Sequence, residues 1–224
     1  EPNLTFKTLN SDESPSLTIS NDITVRSDLD TNGKAINVGI THTWVSNQSN
    51  SGLQTKAYDV SSNEMSAMGL DRKTPSKSDI HNVIFQFDFS MPTSFGSKVE
   101  TGLKNETTLN RNQYEVFDRK NGSYVREEQL SNNFQYIENI NAYYIMLSGP
   151  IKKWLEYSAG LRMEHTFINS NTSNVNRNYL SLFPNVGLTA HPSEEQSVGV
   201  AYSRRVQRPD FSQINNVIFY SDPY

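Results

Sequence analysis

Apolar and polar residues alternate one by one through most of this chain. That period of two places successive side chains on opposite faces of an extended strand. From Leu17 to Val25, Leu17, Ile19, Ile23 and Val25 alternate with Thr18, Ser20, Asp22 and Thr24. Ile36, Val38, Ile40 and Trp44 then alternate with Asn37, Gly39, Thr41 and Thr43, and Val83, Phe85, Phe87, Phe89 and Met91 with Gln86, Asp88 and Ser90. A fourth segment, Lys98 to Asn110, sets Val99, Leu103 and Leu109 against Lys98, Glu100, Lys104 and Glu106, with Asn105 and Thr107 weakening its apolar side. The fifth, Phe134 to Ser148, is apolar on both sides near its end (Tyr143, Tyr144, Ile145, Met146, Leu147), so its register stays open. The sixth is the clearest: Leu155, Tyr157, Ala159, Leu161, Met163 and Phe167 oppose Glu156, Ser158, Gly160, Arg162, Glu164 and Thr166. The seventh sets Leu180, Leu182, Val186 and Leu188 against Ser181, Asn185, Gly187 and Thr189, and the eighth sets Val198, Val200 and Tyr202 against Gly199, Ala201 and Ser203.

Each segment is about as long as the ~9–11 residues of a tilted membrane-crossing strand, against ~5–6 for a soluble strand. The connections add a second regularity. They run short (29–33), long (48–80), short (92–97), long (111–133), short (149–153), medium (169–178), short (190–196) and long from 207 onward. A meander inserted from one side of a membrane has tight turns at one end and longer loops at the other; a Greek-key sandwich has no reason to alternate so. The expected fold is therefore all-β: an antiparallel up-and-down meander of about eight long strands. A polar stretch at Ser11–Pro15 is expected to be irregular, and Val217–Tyr220 to begin a further strand. An eight-strand arc left open would expose two unpaired edges to lipid, so the 224 residues are expected to form an arc of a larger transmembrane β-barrel.

Composition agrees. Hydrophobic residues make up only 35%, yet there are 11 Phe, 11 Tyr and 2 Trp, as suits strands with one apolar and one wet face. The formal charge of −4 is spread without long runs, so a nucleic-acid footprint is not expected. With no cysteine, disulfides, thiol nucleophiles and thiolate metal sites are excluded. Ala142–Leu147, the longest apolar run, is far short of a spanning helix. The first residues, Glu1-Pro2-Asn3, have no signal-peptide pattern, and an exported protein is expected to have more chain upstream.

From about Tyr136 the chain resembles the barrel domain of TonB-dependent outer-membrane receptors, in the form found in the outer membrane protein β-barrel family. The resemblance rests on Tyr136-Ile137-Glu138-Asn139-Ile140-Asn141-Ala142-Tyr143, Ala159-Gly160-Leu161-Arg162-Met163-Glu164-His165-Thr166 and Leu182-Phe183-Pro184. It continues through Tyr202-Ser203-Arg204-Arg205-Val206-Gln207-Arg208-Pro209 and Tyr220-Ser221-Asp222-Pro223-Tyr224. Where the family has Leu-Asn-Pro-Phe, this chain has Ile214-Asn215-Asn216-Val217, which implies a differently shaped outer loop. The resemblance implies a receptor of about 22 strands with a plug in its lumen, taking up a large nutrient with energy from TonB. Residues 1–224 would then be part of the barrel domain. The plug, the remaining strands and the TonB contact would lie elsewhere in the protein, and outer-membrane lipids and an unknown nutrient would be its further partners. No cofactor or metal is implied.

Catalysis finds little support. His42, His81, His165 and His191 make no His-x-x-x-His pair, and no phosphate loop or Gly-x-Ser-x-Gly elbow occurs. Asp28-Leu29-Asp30-Thr31-Asn32-Gly33 imitates half a calcium loop, but position twelve is Gly39 and not Glu; a tight turn is the expected reading. Lys98, Glu100, Lys104, Glu106, Glu156, Arg162 and Glu164 are expected to face the lumen, mostly as solvated wall, with Arg162 and Glu164 the foremost candidates. Arg204, Arg205 and Arg208 are expected at an outer rim, where they would bind anions or order the loop through Asp210. Trp44, Phe89, Tyr157 and Phe167 are candidates for interfacial aromatics. Two other readings remain: a soluble or surface-exposed β-sandwich for adhesion or carbohydrate binding, and, third, an outer-membrane enzyme barrel.

Overall fold

The structure, a computed structural model, describes residues 5–59, 69–171 and 175–208. All regular structure among these residues is β. The strands are β1 (Thr5–Glu13), β2 (Ser16–Asp28), β3 (Ala35–Tyr58), β4 (Leu70–Pro92), β5 (Lys98–Tyr114), β6 (Phe117–Lys120), β7 (Ser123–Arg126), β8 (Asn132–Lys152), β9 (Leu155–Ser170), β10 (Asn176–Ser193) and β11 (Gln196–Ser203). They form one antiparallel sheet in the order β1-β3-β4-β5-β8-β9-β10-β11. β2 lies in line with β1, pairing the first half of β3 while β1 pairs the second half. The eight expected segments thus become eight adjacent lanes. Among the described residues the sheet does not close on itself: β1 and β2 pair only with β3, and β11 only with β10.

No second layer packs on this sheet among the described residues, so the sandwich alternative is not what the chain forms. The chain exposes 15303 Å², whereas a compact protein of 25.4 kDa would expose about 10,400 Å². A small apolar cluster does exist: Phe134, Tyr136 and Ile168 are buried, with Val175 and Tyr179 against them, all on the polar face near the long-connection end.

The two faces follow the alternation. Leu17, Ile23, Val25, Ile40, Val83, Phe85, Tyr143, Ile145, Leu161, Leu182, Val186, Val200 and Tyr202 share one face and are exposed on it. The open register of the fifth segment is resolved there: Tyr143 and Ile145 take the apolar face and Tyr144 the other. The apolar band also runs diagonally to the hydrogen-bonded rows. Ile23, Ile40 and Phe85 stand on one row, which continues through Asn105, Asn141 and His165 to Leu180. Nearer the short turns another row reads Met91, Val99, Leu147, Ala159, Val186, Tyr202. Strands tilted to a common slab produce this slide, because a level band cuts successive strands at shifted positions.

Connection lengths alternate as expected, but the strands are longer than the apolar segments. β3 has 24 residues, or about 80 Å of strand at ~3.3 Å per residue, far more than a tilted crossing of an apolar band ~25 Å tall needs. The expected loop 48–80 is therefore mostly strand, taken up by the end of β3 and the start of β4. The expected loop 111–133 carries the end of β5 and the hairpin β6–β7, which leans on β4 through Arg72↔Asp118 and Lys73↔Phe117. Ser11–Glu13, expected to be irregular, end β1 by pairing Gly52, Ser51 and Asn50. The segment 28–33 is a turn: Asp30 Oδ1 accepts from the amides of Asn32 and Lys34, both at 2.9 Å, and Gly33 takes φ 99°, which glycine adopts without a Cβ clash. Val217–Tyr220, Asp210 and the departure at Ile214–Val217 lie outside the described residues.

Candidate functional site

Polar side chains cover the sheet face opposite the apolar one. All seven wall candidates, Lys98, Glu100, Lys104, Glu106, Glu156, Arg162 and Glu164, fall in that register. Most are tied in pairs two residues apart on one strand, where like-facing side chains are neighbours. Lys98 Nζ lies 2.6 Å from Glu100, Lys104 Nζ 2.8 Å from Glu106, and Arg162 Nε 2.7 Å from Glu164. Glu106 also accepts from Asn82 Nδ2 at 3.2 Å. Glu156, near a short turn, is 3.8 Å from His191.

The most enclosed group lies on β9. Glu164 accepts from Arg162 and, through Oε2, from Arg208 Nη2 at 2.5 Å. Arg208 Nη2 also meets Thr166 Oγ1 at 3.1 Å, and its Nε stands 3.9 Å from Glu138. The side chains of Arg208 and Glu164 are only 21% and 10% exposed, so this pair is less screened than a surface ion pair. On the row of Glu164 the neighbour is Ala142, itself buried, and the next residue Lys104. The three rim candidates separate. Arg204 continues the ladder with its amide on Pro184 O at 3.1 Å, Arg205 is exposed, and Arg208 folds back over the sheet, past β10 to β9 and β8.

A second centre is Asp88, which the sequence did not single out. It accepts from Tyr144 Oη at 2.5 Å, Gln86 Nε2 at 2.9 Å and Asn37 Nδ2 at 3.4 Å. A cleft of about 650 Å³ opens beside it between the short turns, lined by Arg26, Asn37, Asp88, Lys98, Glu100 and Tyr144. Asp88 was legible as a polar-register carboxylate, but Tyr144 was not, because its strand was apolar on both sides. The histidines hold another result. Scattered in sequence, His42 and His81 are brought together by the β3–β4 register, Nε2 to Nδ1 at 3.3 Å, with their rings stacked. Trp44 stacks on His81 in turn. Among the described residues no group of three or more His, Cys, Asp or Glu could hold a metal ion. What the polar face offers is a wetted wall of paired charges with an arginine-clamped carboxylate.

The profile of the outer membrane protein beta-barrel family matches residues 27–224. No curated protein matches the chain. Among solved structures, the ferric preacinetobactin receptor BauA from Acinetobacter baumannii is similar with a TM-score of 0.39 at 10% identity, over 88% of this chain and 39% of that one. The alcaligin outer membrane receptor FauA from Bordetella pertussis is similar with a TM-score of 0.34 at 10% identity, over 90% of this chain and 41% of that one. This chain thus spans about two fifths of the receptors it matches. The match across residues 27–224, on a sheet with one exposed apolar face and one charged face, makes the chain a member of the outer membrane protein beta-barrel family, a protein of the bacterial outer membrane.

Proposed function

We propose that the chain is part of the wall of a TonB-dependent receptor that takes up a large nutrient. The observation that carries this reading is the charged face itself. An ordered network (Arg162, Glu164, Arg208, Glu138) sits on the side of the sheet turned away from the apolar band, where the lumen of a closed barrel would be. The long connections then lie at the cell surface and the short turns in the periplasm, as such barrels insert. Closure requires strands beyond the eight lanes, since open edges in hydrocarbon leave backbone groups unpaired. The paired charges of the inward face give a plug or a hydrated solute polar partners. Nutrient binding, plug and TonB contact are functions of the whole protein.

The test is genetic. A strain lacking this gene and a strain lacking TonB, each grown with single nutrient sources in limiting amounts, are expected to lose growth on the same source. A nutrient whose use needs the gene but not TonB would overturn the receptor reading.

A further inference from the structure

The apolar face carries polar positions in several places, among them the pairs His42–His81 and His165–Asn178, and one group on β5 and β8 is organised into a closed ring. Asn105 Nδ2 donates to Asn141 Oδ1 at 2.8 Å, Asn141 Nδ2 to Asn139 Oδ1 at 2.6 Å, Asn139 Nδ2 to Thr107 Oγ1 at 2.6 Å, and Thr107 Oγ1 to Asn105 Oδ1 at 3.3 Å. These four side chains on β5 and β8 close a ring of hydrogen bonds on the side of the sheet that faces lipid. The ring uses one donor and one acceptor of each carboxamide. Each amide nitrogen keeps a second N–H and each amide oxygen a second lone pair. The ring's bonds hold the four groups in place, and all four side chains are half-exposed.

Immediately toward the short turns lies a groove of about 450 Å³ whose walls include Phe87, Leu103, Tyr143, Ile145, Leu161 and Met163. Thr101 and Gly102 are the small residues in its lining. On the row Phe89, Thr101, Ile145, Leu161, threonine stands where its neighbours are large. Thr101 spends its hydroxyl on Tyr144 O at 2.8 Å, so it turns its methyl group to the groove. Tyr143, 54% exposed, stands between groove and ring, where an interfacial aromatic belongs. An apolar slot of ligand size therefore runs along the strands into a fixed set of neutral hydrogen-bonding groups.

We infer that this is a lipid site, occupied by one amphiphile whose acyl chain fills the groove and whose uncharged, hydroxyl-bearing head, that of a glycolipid, rests on the ring. Carboxamides and a hydroxyl exchange hydrogen bonds with sugar hydroxyls in both directions. A phosphate head is better served by arginine or lysine. The position is consistent: Asn105, Thr107, Asn139 and Asn141 lie on the long-connection side of the groove, the level of the outer-leaflet heads. The inference rests on the wall and orientation proposed above, and not on transport.

The whole protein, in a polyoxyethylene dodecyl ether detergent, would be offered a neutral glycolipid, monogalactosyl diacylglycerol, and phosphatidylethanolamine at equal concentration and weighed by native mass spectrometry. Wild type is expected to retain the glycolipid in preference. Asn141→Leu, which opens the ring, and Thr101→Phe, which fills the groove, are each expected to lower its retention about ten-fold, the worth of one or two net hydrogen bonds or of the lost cavity. Val25→Phe, elsewhere on the same face, is expected to change nothing. Equal retention of both lipids overturns the inference, as does wild-type retention in whichever of the two site variants folds. A lipid-free dimer abolished by Asn141→Leu assigns the face to a second copy and overturns it as well. A wild-type protein that runs identically on a gel before and after boiling refutes the wall reading, and this site with it.

Discussion

Tyr144 reaches across Gly102 to donate its hydroxyl to Asp88, at 2.5 Å, spanning three adjacent strands. The arrangement depends on the missing side chain in the middle. A Cβ built on Gly102 would stand 2.5 Å from the carbonyl oxygen of Phe87 and 2.7 Å from the Tyr144 ring. The first contact is backbone and cannot swing away. Gly102→Ala is therefore expected to destabilise the barrel by about 1–3 kcal/mol, the usual range for overpacking. Tyr144→Phe keeps the ring, loses the one bond and is expected to lose about 1 kcal/mol. Urea-unfolding midpoints of the whole protein in detergent check the ranking; an alanine at 102 milder than phenylalanine at 144 would show that the strands part easily there.

The hairpin β6–β7 meets β4 at several points: Tyr124 Oη donates to Asp71 at 2.9 Å, Arg119 lies 3.4 Å from the same carboxylate, and the least exposed link is that of Arg72 to Asp118. Arg72 meets Asp118 with two bonds, Nε to Oδ1 at 2.7 Å and Nη2 to Oδ2 at 2.9 Å, with both side chains below one fifth exposed. The Asp118 hydrogen bond is also the main reason the Arg72 guanidinium is held above its ordinary value. Asp118→Asn keeps the shape and removes the charge, and is expected to weaken docking by about 2 kcal/mol. Hydrogen exchange would read this as faster exchange confined to 115–130, with the strands β8 and β9 unchanged. Exchange that rises throughout the sheet would mean the hairpin is part of the barrel's stability and not an appendage.

How much of this was legible depends on where water is. Within the apolar band the alternation of Val83, Phe85, Phe87 and Phe89 fixes both strand and face, because one side meets lipid. Beyond the band both faces are wet, so Gln48, Ser49, Asn50 and Ser51 carry no period and read as loop. They are nonetheless strand, held by Asp12 accepting from Ser49 and Ser51 at 3.0 and 2.8 Å. The hairpin does carry a signal in the sequence: Asn121-Gly122, with φ 51° and 84°, is the dipeptide such tight turns favour. The polar-face residues were legible by register alone. Their partners were not, since Tyr144 sat on an ambiguous strand and Arg208 crosses the sheet from outside any strand. Asn105 and Thr107 read as a weak apolar face because their partners, Asn139 and Asn141, join them only through the β5–β8 register.

The turn 29–34 gives a pH test. Asp30 is held below the ordinary carboxylate value of 3.8, chiefly by the Lys34 amide, with Asn32 adding to it. A carboxyl depressed in the folded state contributes stability that is present above its unfolded pKa and is lost as pH falls through the folded one. The difference between wild type and Asp30→Ala is therefore expected to be constant at neutral pH and to shrink only below about 4. Amide exchange at Asn32 and Lys34, measured from pH 7 downward in both proteins, checks it. A difference that persists unchanged well below that range would mean that the Asp30 side chain holds the turn without its charge, and no difference at any pH would mean that the Leu29–Lys34 backbone bond suffices.

Arg208 supplies the last prediction, because among the described residues it comes from outside the strands to complete the polar face. If it clamps the chain after β11 onto the wall, Arg208→Ala should free residues 204–207 while leaving Glu164 still bound by Arg162. Arg208→Lys retains the charge but loses the planar fork, which can serve Glu164 and Thr166 together, and is expected to restore part of the effect. The two carboxylate partners separate the contributions. Glu164→Gln removes the 2.5 Å partner and Glu138→Gln the 3.9 Å one, so a double-mutant cycle with Arg208 is expected to give coupling of about 1–3 kcal/mol for Glu164 and near zero for Glu138. Equal couplings would mean that Arg208 answers to the summed field of the face and not to one clamp. In that case the segment's path across β10 would be set by its own backbone, and Arg208→Ala would leave it where it lies.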